Sequence, residues 1–485
     1  MKLLNKFLLL VTILITVFLL TSCNTKDEYE DAMIFTEGLA GVKLRGLYGF
    51  IDIEGNLKIK PSYEQVQNFY DGKALVKQNG LWGLIDKTNT VIIPFKYTEA
   101  TMISEDFIAV KENDKFGCIN LKGEIVVDFI SKKPIEISYG SIKHAIALIT
   151  DNNKKGFIDL DTGFKSLPIY NDIFYDGEEN LLTLDISRKS GTANFGYANL
   201  YTQTIIEAPY QNFLYFQSDL AAILINFKYG YVNKANEIVI APIYDSASNF
   251  SEGLATVTIN RKSGCINTKG EIVIPLIYDS VGSFYNGLAR ISVDNKSGLI
   301  NTKCEILCEP KFSQIDWYGD SDIIPAAYID DNGNSKYVCI NKYGEILFET
   351  NYTEIYPFGY NSTDITEVRK DDKLGYINKK GIEILSPIYN SAVQAGELFI
   401  VSINNKYGLI GKYQKELLKC EYTSITHFSE NIFSISKDNK YGLYNATTNT
   451  STDLLYDEMR FPHDEVIPVR IGDKWHYIDL DGNKL

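Results

Sequence analysis

Apolar and polar residues alternate along this chain in short bursts, and the bursts recur on a fixed period. Leu254–Ile259 reads Leu-Ala-Thr-Val-Thr-Ile, two faces of a β-branched strand. Gly264-Cys-Ile-Asn267 predicts a second short strand, whose glycine allows another backbone to approach closely. Thr268-Lys-Gly270 predicts a tight turn with positive φ at the glycine. Glu271–Pro275 predicts a third strand that its proline ends. Tyr278–Phe284 predicts a fourth, and Asn286-Gly287 turns the chain into the next copy. No stretch beyond residue 22 sustains a 3.6-residue apolar period, so helix is expected to be scarce.

The motif starts again at Tyr278, 34 residues after Tyr244. Its glycine falls at Gly49, Gly83, Gly117, Gly156, Gly196, Gly230, Gly264, Gly298, Gly375, Gly408 and Gly442, and two further copies carry Val338 and His476 in that slot. Wider steps place insertions near residues 130–195 and 315–370. A period of this size means a repeat architecture, in which each unit buries its apolar face against its neighbours. The expected fold is an all-β repeat protein of thirteen antiparallel units of about 34 residues. Hairpin meanders favour β-propeller blades. Thirteen blades exceed the usual four to eight of one ring, so two propellers are expected, split near residues 240–280. The alternative is a continuous β-solenoid or superhelix.

Copies such as Leu81-Trp82-Gly83-Leu-Ile-Asp86 and Phe250-Ser-Glu-Gly253-Leu-Ala-Thr-Val257 resemble the WG (KWG-type) repeats of bacterial proteins, over essentially all of residues 29–485. The tryptophan is literal only at Trp82 and Trp475. The resemblance implies a β-repeat and often an exported location. It implies no defined ligand and no catalytic residue.

The first residues carry the address. Lys2 and Lys6 precede an apolar run from Phe7 to Leu20, which is shorter than the roughly 20 residues of a membrane span and fits a secretory signal. Leu20-Thr21-Ser22-Cys23 resembles the lipobox of bacterial lipoproteins, which implies lipidation at Cys23 and removal of residues 1–22. Residues 23–28 then form a short tether. The repeats divide into a first array half, residues 29–260, and a second, residues 261–485. The expected location is extracytoplasmic, anchored to the cell membrane or outer membrane. Losing Lys2 and Lys6 takes the formal charge from −14 to −16, which disfavours nucleic acid as a partner.

Catalytic signals are scarce. Four histidines, no HExxH, no Cys-x-x-Cys, no nucleophile elbow and no Walker loop occur, so no catalytic residue, metal or cofactor is assigned. Ser434-Ile-Ser-Lys437 and the acidic turns at Asp330–Asn334 and Asp479–Gly482 read as strand and turn chemistry. Cys118, Cys265, Cys304, Cys308, Cys339 and Cys420 register with apolar or turn slots and read as small hydrophobes, with Cys304 and Cys308 the pair to watch for a bridge. The recurring phenylalanines and tyrosines read as core. Trp317, Tyr318, Tyr356, Phe358 and Tyr360, in the insertions, are the candidate ligand contacts. The expected function is a non-enzymatic binding or scaffolding platform for an envelope protein or polysaccharide. The alternatives are a glycan hydrolase, with carboxylates such as Asp320, Asp322, Asp330, Asp364 and Glu367 on inserted loops, and a purely structural envelope protein.

Overall fold

A computed structural model of the chain describes residues 28–139, 145–175, 181–187, 194–213, 216–317, 321–359 and 364–485. The leader, Cys23, His144, Tyr318, Asp320 and Tyr360 lie outside the described residues. Within them the fold is all-β, with thirteen antiparallel sheets, eleven of four strands and two of three. Strand order in every sheet follows the chain, so each sheet is one sequence copy folded as a meander. The copies are propeller-like blades. The inter-copy ladders that a solenoid requires are not formed among the described residues.

One module shows how its residues dictate this. Its strands are Ser246–Ala247, Leu254–Ile259, Lys262–Asn267 and Ile272–Tyr278. Asn260 and Arg261 join the second and third with φ of 50° and 63°, a two-residue turn whose twist matches the strands. Asn267 shapes the next turn: its Oδ1 accepts the N–H groups of Lys269 and Glu271, each at 3.0 Å. Opposite Gly264 the ladder bulges, and a Cβ there would stand 2.3 Å from Ile274 O. The close approach expected of that glycine is therefore real.

The core lies between consecutive sheets. Tyr231, Ile240 and Tyr244 of one module pack with Phe250, Ala255, Val257 and Ile266 of the next. Phe69, Phe250 and Phe284 fill the same slot and are at most 2% exposed. A polar tie runs alongside. Asp279 takes the ammonium of Lys262 from the preceding module at 2.7 Å and the N–H of Asp294 in its own hairpin turn at 2.8 Å. No disulfide joins any of the six described cysteines, Cys304 and Cys308 included. Cys304 stands in the turn-glycine slot with φ of 67°. Burial pushes the Cys118 and Cys339 thiols up to about 12, which keeps them inert hydrophobes.

The chain divides into two compact units, Met1–Phe129 with Asn405–Leu409 and Leu417–Leu485, and Ile130–Asn404 with Ile410–Glu416. Residues 240–280, where the sequence placed a break between two propellers, lie inside the second unit. A cut at 260/261 would pass through the turn of one hairpin. In the first unit Tyr29 and Met33 meet the last copy. The thirteenth sheet has three strands, Glu458–Met459, Val466–Ile471 and Lys474–Asp479. Tyr29 pairs with Trp475 as Tyr278 pairs with Ser263, so the N-terminal segment supplies the tyrosine of the missing fourth strand. That fourth strand is otherwise reduced to the bridge between Ile478 and Lys484. The carbonyl that crowds Gly264 thus has no counterpart here among the described residues, and His476 is tolerated. Val338 is accommodated differently, by regular pairing with Glu349 where other copies bulge.

Candidate functional site

Among the described residues, the aromatic side chains singled out in the insertions, Trp317, Tyr356 and Phe358, do not assemble into one site. Phe358 is 1% exposed within the cluster of Cys339, Ile355, Val368 and Ile377, so it is core, not a ligand contact. Trp317 packs against a different cluster, that of Phe312, Ile315 and Val338, and its buried Nε1 has no hydrogen-bond partner. Tyr356 is the most exposed of the three described candidates, with the Arg369 guanidinium 6.0 Å from its ring centroid. The insertion carboxylates are largely engaged locally. Asp330 caps a turn through the N–H groups of Asn332 and Asn334. Asp364 pairs with Lys379 at 2.8 Å, and Glu367 with Arg369 at 3.5 Å. Ser434 and Lys437 lie three apart on the strand Ile432–Lys437 and so face opposite ways; Lys437 reaches Glu421 at 3.2 Å. Among the described residues no three His, Cys, Asp or Glu side chains converge as metal ligands.

A concavity lies elsewhere in the first unit, between the twelfth and thirteenth modules. It is a cleft of about 510 Å³ lined by residues 428–432, Asn445, Thr447, Thr448, Pro462–Glu465 and Leu480. Its cause is legible from the repeat. Phe428 stands four residues before its strand Ile432–Lys437, as Phe250 stands before Leu254–Ile259. In the thirteenth copy that slot, four residues before Val466, holds Pro462. The ring that Phe284 supplies elsewhere is missing, and the space stays open. Phe461 is 62% exposed and its ring centroid lies 5.2 Å from that of Phe428.

The rim is polar and acidic. Glu430, Asp464 and Glu465 contribute carboxylates, and His463 Nδ1 lies 3.3 Å from Asp464. Asn445 is engaged by the turn, accepting the N–H groups of Thr447 and Thr448 at 2.9 and 3.2 Å. Phe428, Ile432, Pro462 and Leu480 make the apolar part of the lining. An apolar bed with a few convergent polar groups is the usual form of a small-ligand site. The sequence reading passed over this cleft. The available signals were Pro462 in a phenylalanine slot and Glu465 in a glycine slot.

Similarity to known proteins agrees with the repeat. A family model described as WG-containing repeat matches residues 28–48, 48–82, 82–116, 229–262, 264–296, 339–373, 375–407, 407–441 and 441–475, more than half of the chain. The chain belongs to the WG-containing repeat family. Comparison with curated proteins gives no match. Among solved structures, a eukaryotic initiation factor is similar at 10% identity and a TM-score of 0.32, over 68% of this chain and 97% of that one. The extracellular domain of a putative one-component system from B. thetaiotaomicron is similar at 9% identity and a TM-score of 0.21, over 95% and 82%. PorZ, a surface component of the type-IX secretion system of Porphyromonas gingivalis, is similar at 8% identity and a TM-score of 0.20, over 94% and 80%. Scores this low carry no argument about what this WG-repeat chain binds.

Proposed function

We propose that this WG-repeat protein is a non-enzymatic binding platform, exported and held on the bacterial envelope by a lipid on Cys23, and that a protein or glycan partner engages the cleft beside Phe428. The observation that carries the reading is where the repeat departs from itself. Its recurring polar groups serve turns and ties between sheets, as Asn267 and Asp279 do. At residues 428–480 a core ring is absent, and acidic and apolar groups face an open space. The leader supports the address, because its 14-residue apolar run ends three residues before Cys23.

Two measurements test it. Cys23→Ala in the full-length chain releases the protein from membranes; persistent acyl labelling of that variant overturns the anchor. Immobilised full-length protein enriches a defined partner from envelope extracts and returns it with unchanged mass. Pro462→Phe, which refills the slot, abolishes that enrichment. Equal enrichment by this variant overturns the assignment of the cleft, and a processed partner overturns the non-enzymatic reading.

A further inference from the structure

The repeat contains its own reference for the cleft. In the first module Glu37 occupies the turn position two residues before the strand Leu39–Leu44. Its Oε2 accepts the N–H of Gly72 at 2.9 Å and takes the ammonium of Lys87 at 3.0 Å, both from the second module. Glu252 keeps the amide bond in the second unit, accepting the N–H of Gly287 at 2.9 Å. Glu430 occupies the same turn position, two residues before Ile432. The facing slots now hold other chemistry: Glu465 stands where Gly72 stands, and Leu480 stands where Lys87 stands, immediately after the strand Lys474–Asp479. A second carboxylate has arrived and the ammonium has gone. Glu430 makes neither bond of its counterpart among the described residues, and no lysine or arginine lines the cleft.

We propose that the cleft holds a small ligand bearing a primary ammonium, its nitrogen beside Glu430 where Lys87 Nζ lies beside Glu37, and its body on Phe428, Pro462 and Leu480. The position matches that of the Glu37–Lys87 pair between the first two modules, with the cation gone and the floor hollowed. Glu465 reinforces the choice of charge, because two carboxylates at one rim favour a cation. A cleft of about 510 Å³ holds far more than an ammonium alone, so the ligand has a compact carbon body. The ammonium of an amino sugar and that of an aliphatic amine share this chemistry.

The inference rests on the binding-platform reading, and calorimetric titration of the full-length protein separates the two. Glucosamine and pentylamine are the cationic probes; N-acetylglucosamine and pentanol are their neutral counterparts. At least one amine binds, at least tenfold tighter than its neutral counterpart, and the better amine identifies the source. Glu430→Gln weakens that binding at least tenfold. Leu480→Lys, which restores an ammonium opposite Glu430, blocks binding while raising the melting temperature. Equal binding of amine and neutral probe overturns the inference and leaves the platform reading standing. So does unchanged amine binding in Leu480→Lys, which places the site elsewhere. Absence of binding by either amine overturns it as well, and the platform reading then stands or falls on partner enrichment alone.

Discussion

Tyr63 and Tyr97 hold the same slot in neighbouring modules and end differently. The Tyr63 hydroxyl donates to Asn89 Oδ1 at 2.6 Å, and Asn89 sits in the turn with φ of 68°. Twenty-six residues after Tyr97 the corresponding position is Gly123, with φ of 84°, and the Tyr97 hydroxyl is buried with no hydrogen-bond partner. Asparagine tolerates this left-handed conformation, and a Cβ at Gly123 would meet Ile93 Cγ1 at 3.4 Å, ordinary contact. Gly123→Asn is therefore expected to stabilise the chain by about 1 kcal/mol, the net value of one satisfied buried hydroxyl. Denaturant titration reads it, and a lowered midpoint would show that Asn89 is not the template. The core roles of the tyrosine slot were legible in the sequence, because recurrence from copy to copy marks what the copies bury. The hydroxyl partner was not, because it lies on the turn of the following module.

At the scale of the element, the recurring Tyr-Asp pair shows what the alternation of apolar and polar residues leaves unsaid. Its aspartate ties one sheet to the next. Asp245 pairs with Lys228 and accepts the N–H of Asn260; Asp457 pairs with Lys440 at 2.7 Å and accepts the N–H of Gly472 at 2.7 Å. These bonds hold the carboxyls of Asp245, Asp279 and Asp457 below their ordinary 3.8, the lysine being the largest cause in each. Within the first sheet, Asp52 goes down to about 2 despite the desolvation that opposes it, through Lys58 and the Asn56 N–H. A carboxyl depressed on folding contributes stability in full above its unfolded value, and loses it as pH falls through the folded one. The melting temperature is thus expected to hold from pH 7 to about 5 and to fall steeply below about 4, with a smaller drop in 1 M salt, where exposed pairs are screened. Scanning calorimetry across that range checks it; a flat profile from pH 5 to 2 would mean these ties do not bear on stability. Strands, spacing and two of the turns were readable from the sequence. The Asn260-Arg261 hairpin and the ties were not, because a period reports which positions are equivalent and is silent on what each touches. The cleft was hidden for a related reason. A lost slot residue reads as terminal drift until the structure shows the space it leaves.

For the molecule as a whole, the decisive contact lies within the first unit, where residues 429 positions apart close a seam. Arg460 Nη2 bonds Asp31 Oδ1 at 3.0 Å, and its guanidinium lies 3.9 Å over the Trp475 ring. Asp31 also accepts the Tyr48 hydroxyl at 2.6 Å. Burial and that bond to Asp31 push Tyr48 up to about 12, so it donates throughout the working pH range. Tyr477 reaches across to Met33 O at 2.7 Å. The sequence shows only that Tyr29 matches the start of a unit and Asp479–Leu485 the end of one. It did not show that the two parts find each other, and the expectation of two propellers came instead from thirteen blades exceeding the usual number of one ring. If the seam holds the thirteenth sheet in place, weakening it must act locally. Arg460→Gln combined with Asp31→Asn in a double-mutant cycle is expected to give a coupling of about 1 kcal/mol, typical of a half-buried pair in one network. Hydrogen exchange is expected to speed at Tyr29 and Trp475, whose amides bond each other's carbonyls at 3.0 and 2.9 Å. The strand Leu254–Ile259 of the second unit is expected to keep its protection. Exchange that rises equally at both places would mean that the array opens as one cooperative body, with the seam no weaker than any other junction.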